Sequence, residues 1–281
     1  MTINEILMSI ELGLIYGIIA IGIYITFRVI DFPDLTCDGS FVLGSAVSGI
    51  LIKSGYSPYI GIFLALLAGS LAGFVTGVLN THLKITSLLS GILVAFMLYS
   101  VNLYVMRGVP NIGLIDEATI FTNFSPVIVL GGICCVVWGL FSYGLNTDFG
   151  LSLRSIGHNQ RLAKNGGINV KTMTIIGLVF SNSLIALGGA LFSQHQGFSD
   201  VGGGVGTIIV GLASVMIGER LLPYRSISIQ ILSCILGSLL YRLFISFALH
   251  SDVLGLQTQD LNLITGAMVI GIMILPKRRV C

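Results

Sequence analysis

The alternation of apolar and polar positions divides this chain into nine long apolar runs, at about 7–27, 39–52, 58–79, 86–105, 125–145, 173–192, 204–217, 226–249 and 262–275. A helix crossing the hydrocarbon core needs about 20 apolar residues, and fewer where it is re-entrant or shielded by neighbours. The runs at 39–52, 204–217 and 262–275 fall short of that length, and the first two begin in glycine-bearing polar stretches. Such segments predict broken helices that face protein or a cavity rather than lipid. The expectation is an all-α polytopic membrane protein: one transmembrane domain over 1–281, with about nine transmembrane or part-spanning helices.

Composition fixes the solvent. Of 281 residues 54% are hydrophobic and 9% charged, with a mean hydropathy of +0.98, whereas a soluble domain carries roughly a quarter charged residues. The lipid bilayer is therefore the expected partner, and no nucleic acid is. Cys37, Cys134, Cys135, Cys234 and Cys281 lie in or beside apolar runs without ligand spacing. They read as small buried hydrophobes, and no metal site is expected. Residues 1–5 lack a basic stretch and no small-residue cleavage site follows, so the first run is expected to stay as a helix.

Lys and Arg accumulate in short cytoplasmic loops. The long polar connection at 147–172 carries Arg154, Arg161, Lys164 and Lys171 against one acid, Asp148, and is expected inside. Alternating from it, eleven of the fourteen basic residues fall inside, Lys53 and Arg107 outside and Arg242 within a helix. That predicts an external N-terminus and an internal C-terminus.

Two stretches share a design, a helix followed by a Phe and Asp break and then a short Gly-containing helix. The first break holds Asp31, Phe32 and Asp34 before Asp38, Gly39 and Ser40; the second holds Phe198, Ser199 and Asp200 before Gly202, Gly203 and Gly204. Run in opposite directions, the two pairs form a possible inverted repeat around a midplane site. The 202–206 glycines match neither phosphate-binding signature. They permit tight packing or a half-helix start, and a half-helix N-terminus aimed at a solute carboxylate is the sharper alternative.

In the 146–170 segment Leu151, Ile156, Leu162 and Ala163 interleave with Arg154, His158, Arg161 and Lys164. The pattern predicts one short amphipathic helix on the inner surface, ended by Gly166 and Gly167. Taken alone, it fits equally a basic surface helix with no partner.

The order of Gly150, Leu153, Arg154, Gly157, Asn159, Ala163, Gly167, Ile168 and Asn169 resembles the cytoplasmic coupling loop of ABC importer permeases of the branched-chain amino acid class. The 13–22 stretch resembles that class's first helix. Tyr24 to Arg28, Asp34 to Thr36, Asp38 to Phe41, Gln196 to Gly202 and Gly211 to Glu219 are similar to the tryptophan/tyrosine-type permease subgroup. The resemblance covers about 11–275. It implies a permease subunit in the cell (inner) membrane that forms the translocation path for an amino acid or related solute. The implied partners are a second permease copy in a homodimer, a cytoplasmic ABC ATPase dimer that binds the ATP, and an extracytoplasmic solute-binding protein. No cofactor is bound by this chain itself, and the coupling loop, Arg161 included, would dock the ATPase.

Ionisable groups inside a membrane cost at least roughly 2–3 kcal/mol each on insertion scales, so they are functional candidates. Asp31, Asp34, Asp38, His195, Asp200 and Arg242, with Ser40 and Gly203 in the breaks, are the expected translocation-path residues. Helix capping competes for Asp34 and Asp38, the latter at the start of its own helix. Glu219 and Arg220 are placed at the inner surface, where snorkelling needs no special role. Arg242 is expected to pair with one of these acids. Tyr16, Tyr24 and Tyr241 read as packing anchors rather than a solute cage. An ion-coupled secondary transporter fits the repeats and acids equally well. An intramembrane enzyme does not fit, because the four His are scattered and no His-Glu-x-x-His or nucleophile elbow occurs.

Overall fold

The computed structural model describes residues 3–115, 117–122, 124–222, 226–249 and 261–274. Helix α1 (Ile3–Tyr24) continues through a π-helical turn (Ile25–Val29), breaks, and is followed by α2 (Thr36–Lys53), α3 (Pro58–Thr81) and α4 (Ser87–Val105). Strand β1 (Asn111–Gly113) precedes α5 (Pro126–Asn146), and the polar connection forms α6 (Asp148–His158) and α7 (Gln160–Asn165). Then come α8 (Val170–Gln196), β2 (Phe198–Asp200), a 3-10 turn (Val201–Gly204), α9 (Thr207–Leu221), α10 (Ile227–Leu249) and α11 (Leu261–Ile274).

Each of the nine apolar runs falls on a helix. Among the described residues, seven segments are long and apolar enough to cross a bilayer; α2 and α11 are not among them. The segment at α9 reaches that length only with its 3-10 turn, since α9 itself has 15 residues. Several boundaries follow from local chemistry. Pro58 and Pro126 open α3 and α5, where the missing N–H costs no hydrogen bond. Gly197, at φ 75°, ends α8 in the left-handed conformation that glycine tolerates.

The polar connection departs from the expected single amphipathic helix. At Asn159 the backbone is extended, and its side-chain Oδ1 accepts from the N–H groups of Arg161 and Leu162, so one helix stops and another starts. An Asn at that position competes for backbone partners and favours a cap over a helix interior. The second helix ends at Asn165, with Gly167 at φ 83°.

Helices α1 and α8 occupy the centre. The buried isoleucines of α1, Ile15, Ile18, Ile19, Ile21 and Ile23, pack with Leu184, Ile185 and Leu191 of α8. Helices α3, α4, α5 and α10 cover the outside and expose Phe63, Leu71, Phe96, Ile128, Leu140 and Phe244. An apolar belt of that extent is stable only against hydrocarbon. Cys135 lies on this exposed surface, unlike buried Cys37, Cys134 and Cys234; Cys281 lies outside the described residues. The 27 residues of α8 separate two faces, one carrying α6 and α7 and the other the antiparallel β1–β2 pair, in which Ile112 sits opposite Ser199.

The two broken pairs run in opposite directions. Helix α1 packs antiparallel on α8, with Gly22 beside Ser181 and Ile19 beside Gly188. From β2 the chain descends along α2, bringing Ser199 to Ser45 and then Gly204 to Val42 and Asp38, before α9 begins. Helices α2 and α8 cross in near backbone contact. A Cβ on Gly44 would lie 2.0 Å from the Ala186 carbonyl oxygen, and one on Gly189 2.0 Å from that of Phe41.

Those two glycines generate a test. Gly44→Val and Gly189→Val must force the helices apart, and overpacking costs about 1–3 kcal/mol or more. Thermal unfolding in detergent should show both variants with a lower midpoint. Gly132→Ala, on α5 with nothing within 4 Å of its added methyl, should hold or raise the midpoint. Equal midpoints for all three would refute the close crossing.

Candidate functional site

At the junction of the two breaks, buried polar groups satisfy one another. Asp34 is fully buried; one carboxylate oxygen accepts from the Thr36 N–H at 2.9 Å and the other from Asn182 Nδ2 at 2.7 Å. Asn182 also donates to the Leu178 carbonyl at 3.0 Å and accepts from the Ser40 hydroxyl at 2.7 Å. The three bonds fix the amide's orientation, because only a nitrogen can face both Asp34 and a carbonyl. Thr36 and Thr76 hydroxyls lie 2.8 Å apart and tie the start of α2 to α3. Asp34 thus caps α2, and Ser40 and Asn182 hold that cap against α8.

Asp38 caps a different helix from the expected one. Its carboxylate reaches across to α9, where Oδ1 accepts from the Ile208 N–H at 2.9 Å and Oδ2 from the Gly206 N–H at 3.3 Å. It cannot serve its own helix in the same way, because it lies inside the first turn of α2 rather than before it. The N-terminus of α9 carries unpaired N–H groups and partial positive charge, which a carboxylate satisfies. Gly204 permits the approach, since a Cβ there would sit 2.3 Å from the Asp38 carbonyl oxygen.

Other predicted path residues lie apart from this junction. Asp31 is exposed at the turn after α1, at φ 52°. Asp200 is on the β1–β2 face, where it caps the 3-10 turn through the Gly202 N–H and accepts from Asn111 Nδ2 at 3.0 Å. Gly203 is exposed beside it. His195 Nε2 lies 2.8 Å from Glu11 Oε2, with its ring edge-on to Phe121. Arg242 makes no carboxylate pair among the described residues. Its guanidinium stacks on the Tyr16 ring at 4.1 Å, and that ring joins Phe41 and Phe192 in an aromatic cluster. A ring face supplies negative potential without a charge, although the buried Nε of Arg242 has no hydrogen-bond partner among the described residues.

On the other face, Gly150, Leu153, Gly157 and Ala163 press inward. A Cβ on Gly157 would sit 2.1 Å from the Val29 carbonyl oxygen, and Leu153 and Ala163 are buried. Asn159 and Asn169 cap α7 and α8, Ile168 is half-buried and Gly167 makes the turn between them. Arg161 and Leu162 are exposed, whereas Arg154 is half-buried and faces a cavity of 370 Å³. There the sequence missed a contact: Arg28, at the end of the π-helical turn, pairs with Glu219 of α9. Asn182, Glu11 and Gln230 were also missed. A single polar residue inside an apolar run is the available signal for all three.

The model of the family described as branched-chain amino acid transport system / permease component matches residues 5–275. The chain belongs to that family. A tyrosine transport system permease protein of Clostridioides difficile is 40% identical over 262 residues, covering 92% of this chain and 86% of the relative. An uncharacterized protein of Rickettsia prowazekii is 31% identical, covering 95% of each. The ribose import permease protein of Escherichia coli is 22% identical over 77% of this chain and 70% of its own length. Among solved structures, a metal-chelate type ABC transporter in an inward-facing conformation aligns with a TM-score of 0.50 at 15% identity, covering 96% of this chain and 85% of that one; it speaks for the fold alone. The protein is a multi-pass membrane permease of an ABC transport system, not itself an enzyme.

For this permease the Asp38 contact is testable by hydrogen exchange. Asp38→Ala should speed exchange at the Gly206 and Ile208 amides by about tenfold, the equivalent of a lost cap worth about 1 kcal/mol or slightly more. Asp200→Ala should leave those two amides unchanged. Equal protection in the Asp38 variant would show that the carboxylate does not hold α9.

Proposed function

We propose that the permease imports a zwitterionic amino acid, with tyrosine the first solute to test, along a path lined by the broken helices around 31–40 and 199–206. The observation that carries this reading is the exposure of positions 202, 203 and 205 on either side of buried Gly204. Gly202 and Gly203 are exposed and Val205 is 84% exposed, on a segment that packs beside Asp38 and Val42 and belongs to a membrane-span segment. Irregular backbone at membrane depth is stable only against protein or a water-filled cavity. A second permease copy and an aqueous path between the two copies supply both. The identity to a tyrosine transport permease supports the solute class.

The α6–α7 face is the cytoplasmic one in this reading, supported by its basic residues. An ATPase dimer docks on exposed Arg161 and Leu162, while a solute-binding protein delivers to the β1–β2 face. The N-terminus is outside and the C-terminus inside. The chain does no chemistry on the solute and carries no cofactor; ATP binds the partner.

Co-purification from native membranes tests the docking surface. An ATPase should accompany the intact chain and be lost from Arg161→Glu/Leu162→Ala, while that variant keeps its gel-filtration profile. In vesicles, uptake of labelled tyrosine should require ATP and fall at least tenfold in the variant. Uptake that follows an ion gradient with no ATPase bound would replace the importer with an ion-coupled secondary transporter.

A further inference from the structure

The cavity between α1, α6, α9 and α10 is not accounted for by docking or by the junction of the breaks. It encloses 370 Å³, within the range of about 300–1,000 Å³ typical of small-ligand pockets. Its lining is unusual for a membrane protein interior. Arg28 and Arg154 bring two guanidiniums, Glu219 one carboxylate, and Tyr24 and Gln230 are held together by a hydrogen bond of 2.6 Å. Val29 and Ile227 supply apolar wall.

We propose that this cavity is a binding site for a zwitterionic amino acid on the α6–α7 face, separate from the membrane path. The solute class rests on the function proposed above. Two opposite charges facing one space match a ligand that carries both. Glu219 is the group for an α-ammonium, and the guanidiniums of Arg28 and Arg154 are the groups for an α-carboxylate, with the planar fork that carboxylates favour.

Two observations favour a ligand over a self-contained ion pair. Among the described residues the cations of the lining outnumber the acid, and Arg154, half-buried at the cavity wall, makes no ion pair. A carboxylate would supply the missing counter-charge. Second, the Arg28–Glu219 pair is partly open to solvent, with side-chain exposures of 41% and 28%. Partly exposed pairs are weakly held. A zwitterion can therefore enter between the two side chains and replace one ion pair with two. The occupied site would touch α6, the end of α1 and the end of α9 together, so occupancy senses solute on the side where the ATPase docks.

The test uses the full-length permease, purified without binding protein or ATPase, in nanodiscs of phosphatidylglycerol, whose headgroup has no ammonium to compete. Binding of labelled L-tyrosine should be saturable. Tyramine, which lacks the carboxylate, and 3-(4-hydroxyphenyl)propionate, which lacks the ammonium, should fail to displace it. Glu219→Gln and Arg154→Gln should each weaken binding by about tenfold or more, the scale of one lost charged hydrogen bond. Tyr24→Phe, which preserves shape, should weaken it less, and gel filtration checks that each variant is folded. Absence of saturable binding, equal competition by either analogue, or unchanged affinity in both folded charge variants would overturn the proposal. ATP-driven tyrosine uptake with no binding here would remove this site and leave the importer standing. Binding here with gradient-driven uptake would do the reverse.

Discussion

The carboxylate of Asp38, accepting from the first amides of α9, is the contact on which the central architecture depends. A chain that starts a helix inside a bilayer leaves four N–H groups without helical partners, and hydrocarbon offers none. Ile208 and Gly206 find theirs on a side chain 170 and 168 residues away in sequence. Asp34 performs the parallel task for α2, with Asn182 and Ser40 completing its shell. Two interrupted helices can therefore meet at depth without exposing bare backbone on the side packed against the protein.

Those contacts require short distances between helix axes. The α2–α8 crossing brings the Gly44 and Gly189 backbones against neighbouring carbonyls, and Gly204 lets the descending segment touch α2. In lipid, packing of this kind replaces the hydrophobic drive that water would supply. Small residues at the crossings and carboxylates at the half-helix starts are two parts of one solution. The first brings the elements close enough, and the second satisfies the backbone groups that the break has freed.

The helices were legible because the solvent writes them. Every crossing needs a long apolar run, and the composition leaves few other ways to build one. The breaks were legible too, since Asp and Gly interrupt runs that otherwise read as continuous. The partner of each break residue was not. Nothing local distinguishes an Asp38 that caps α2 from one that caps α9, because the deciding contact is set by how the two halves fold together. Glu11 shows the same limit in reverse: one acid does not disturb an apolar run, and its partner His195 lies 184 residues away. Asn159 was hidden differently, because amphipathic spacing continues across it while its side chain ends one helix and begins the next. Arg242 was misassigned to an acid because charge pairing ignores the face of an aromatic ring.

The placement of α6 gives the molecule a contiguous mechanical route. Gly157 rests on the Val29 carbonyl at the end of the π-helical turn, and Leu153 packs against Gly177 of α8, so α6 cannot shift without moving the end of α1. Arg28 on that same turn holds Glu219 at the far end of α9, whose other end is held by Asp38. At about 1.5 Å per residue, the 11 residue steps from Ile208 to Glu219 set the two contacts roughly 16 Å apart along α9. The links differ in stiffness. Backbone against backbone at Gly157 admits almost no play, and the Asp38 carboxylate is held by two amides, whereas the Arg28–Glu219 pair is partly solvated and joined by flexible side chains. The Arg28–Glu219 pair is therefore the least constrained of the links between α6 and α9.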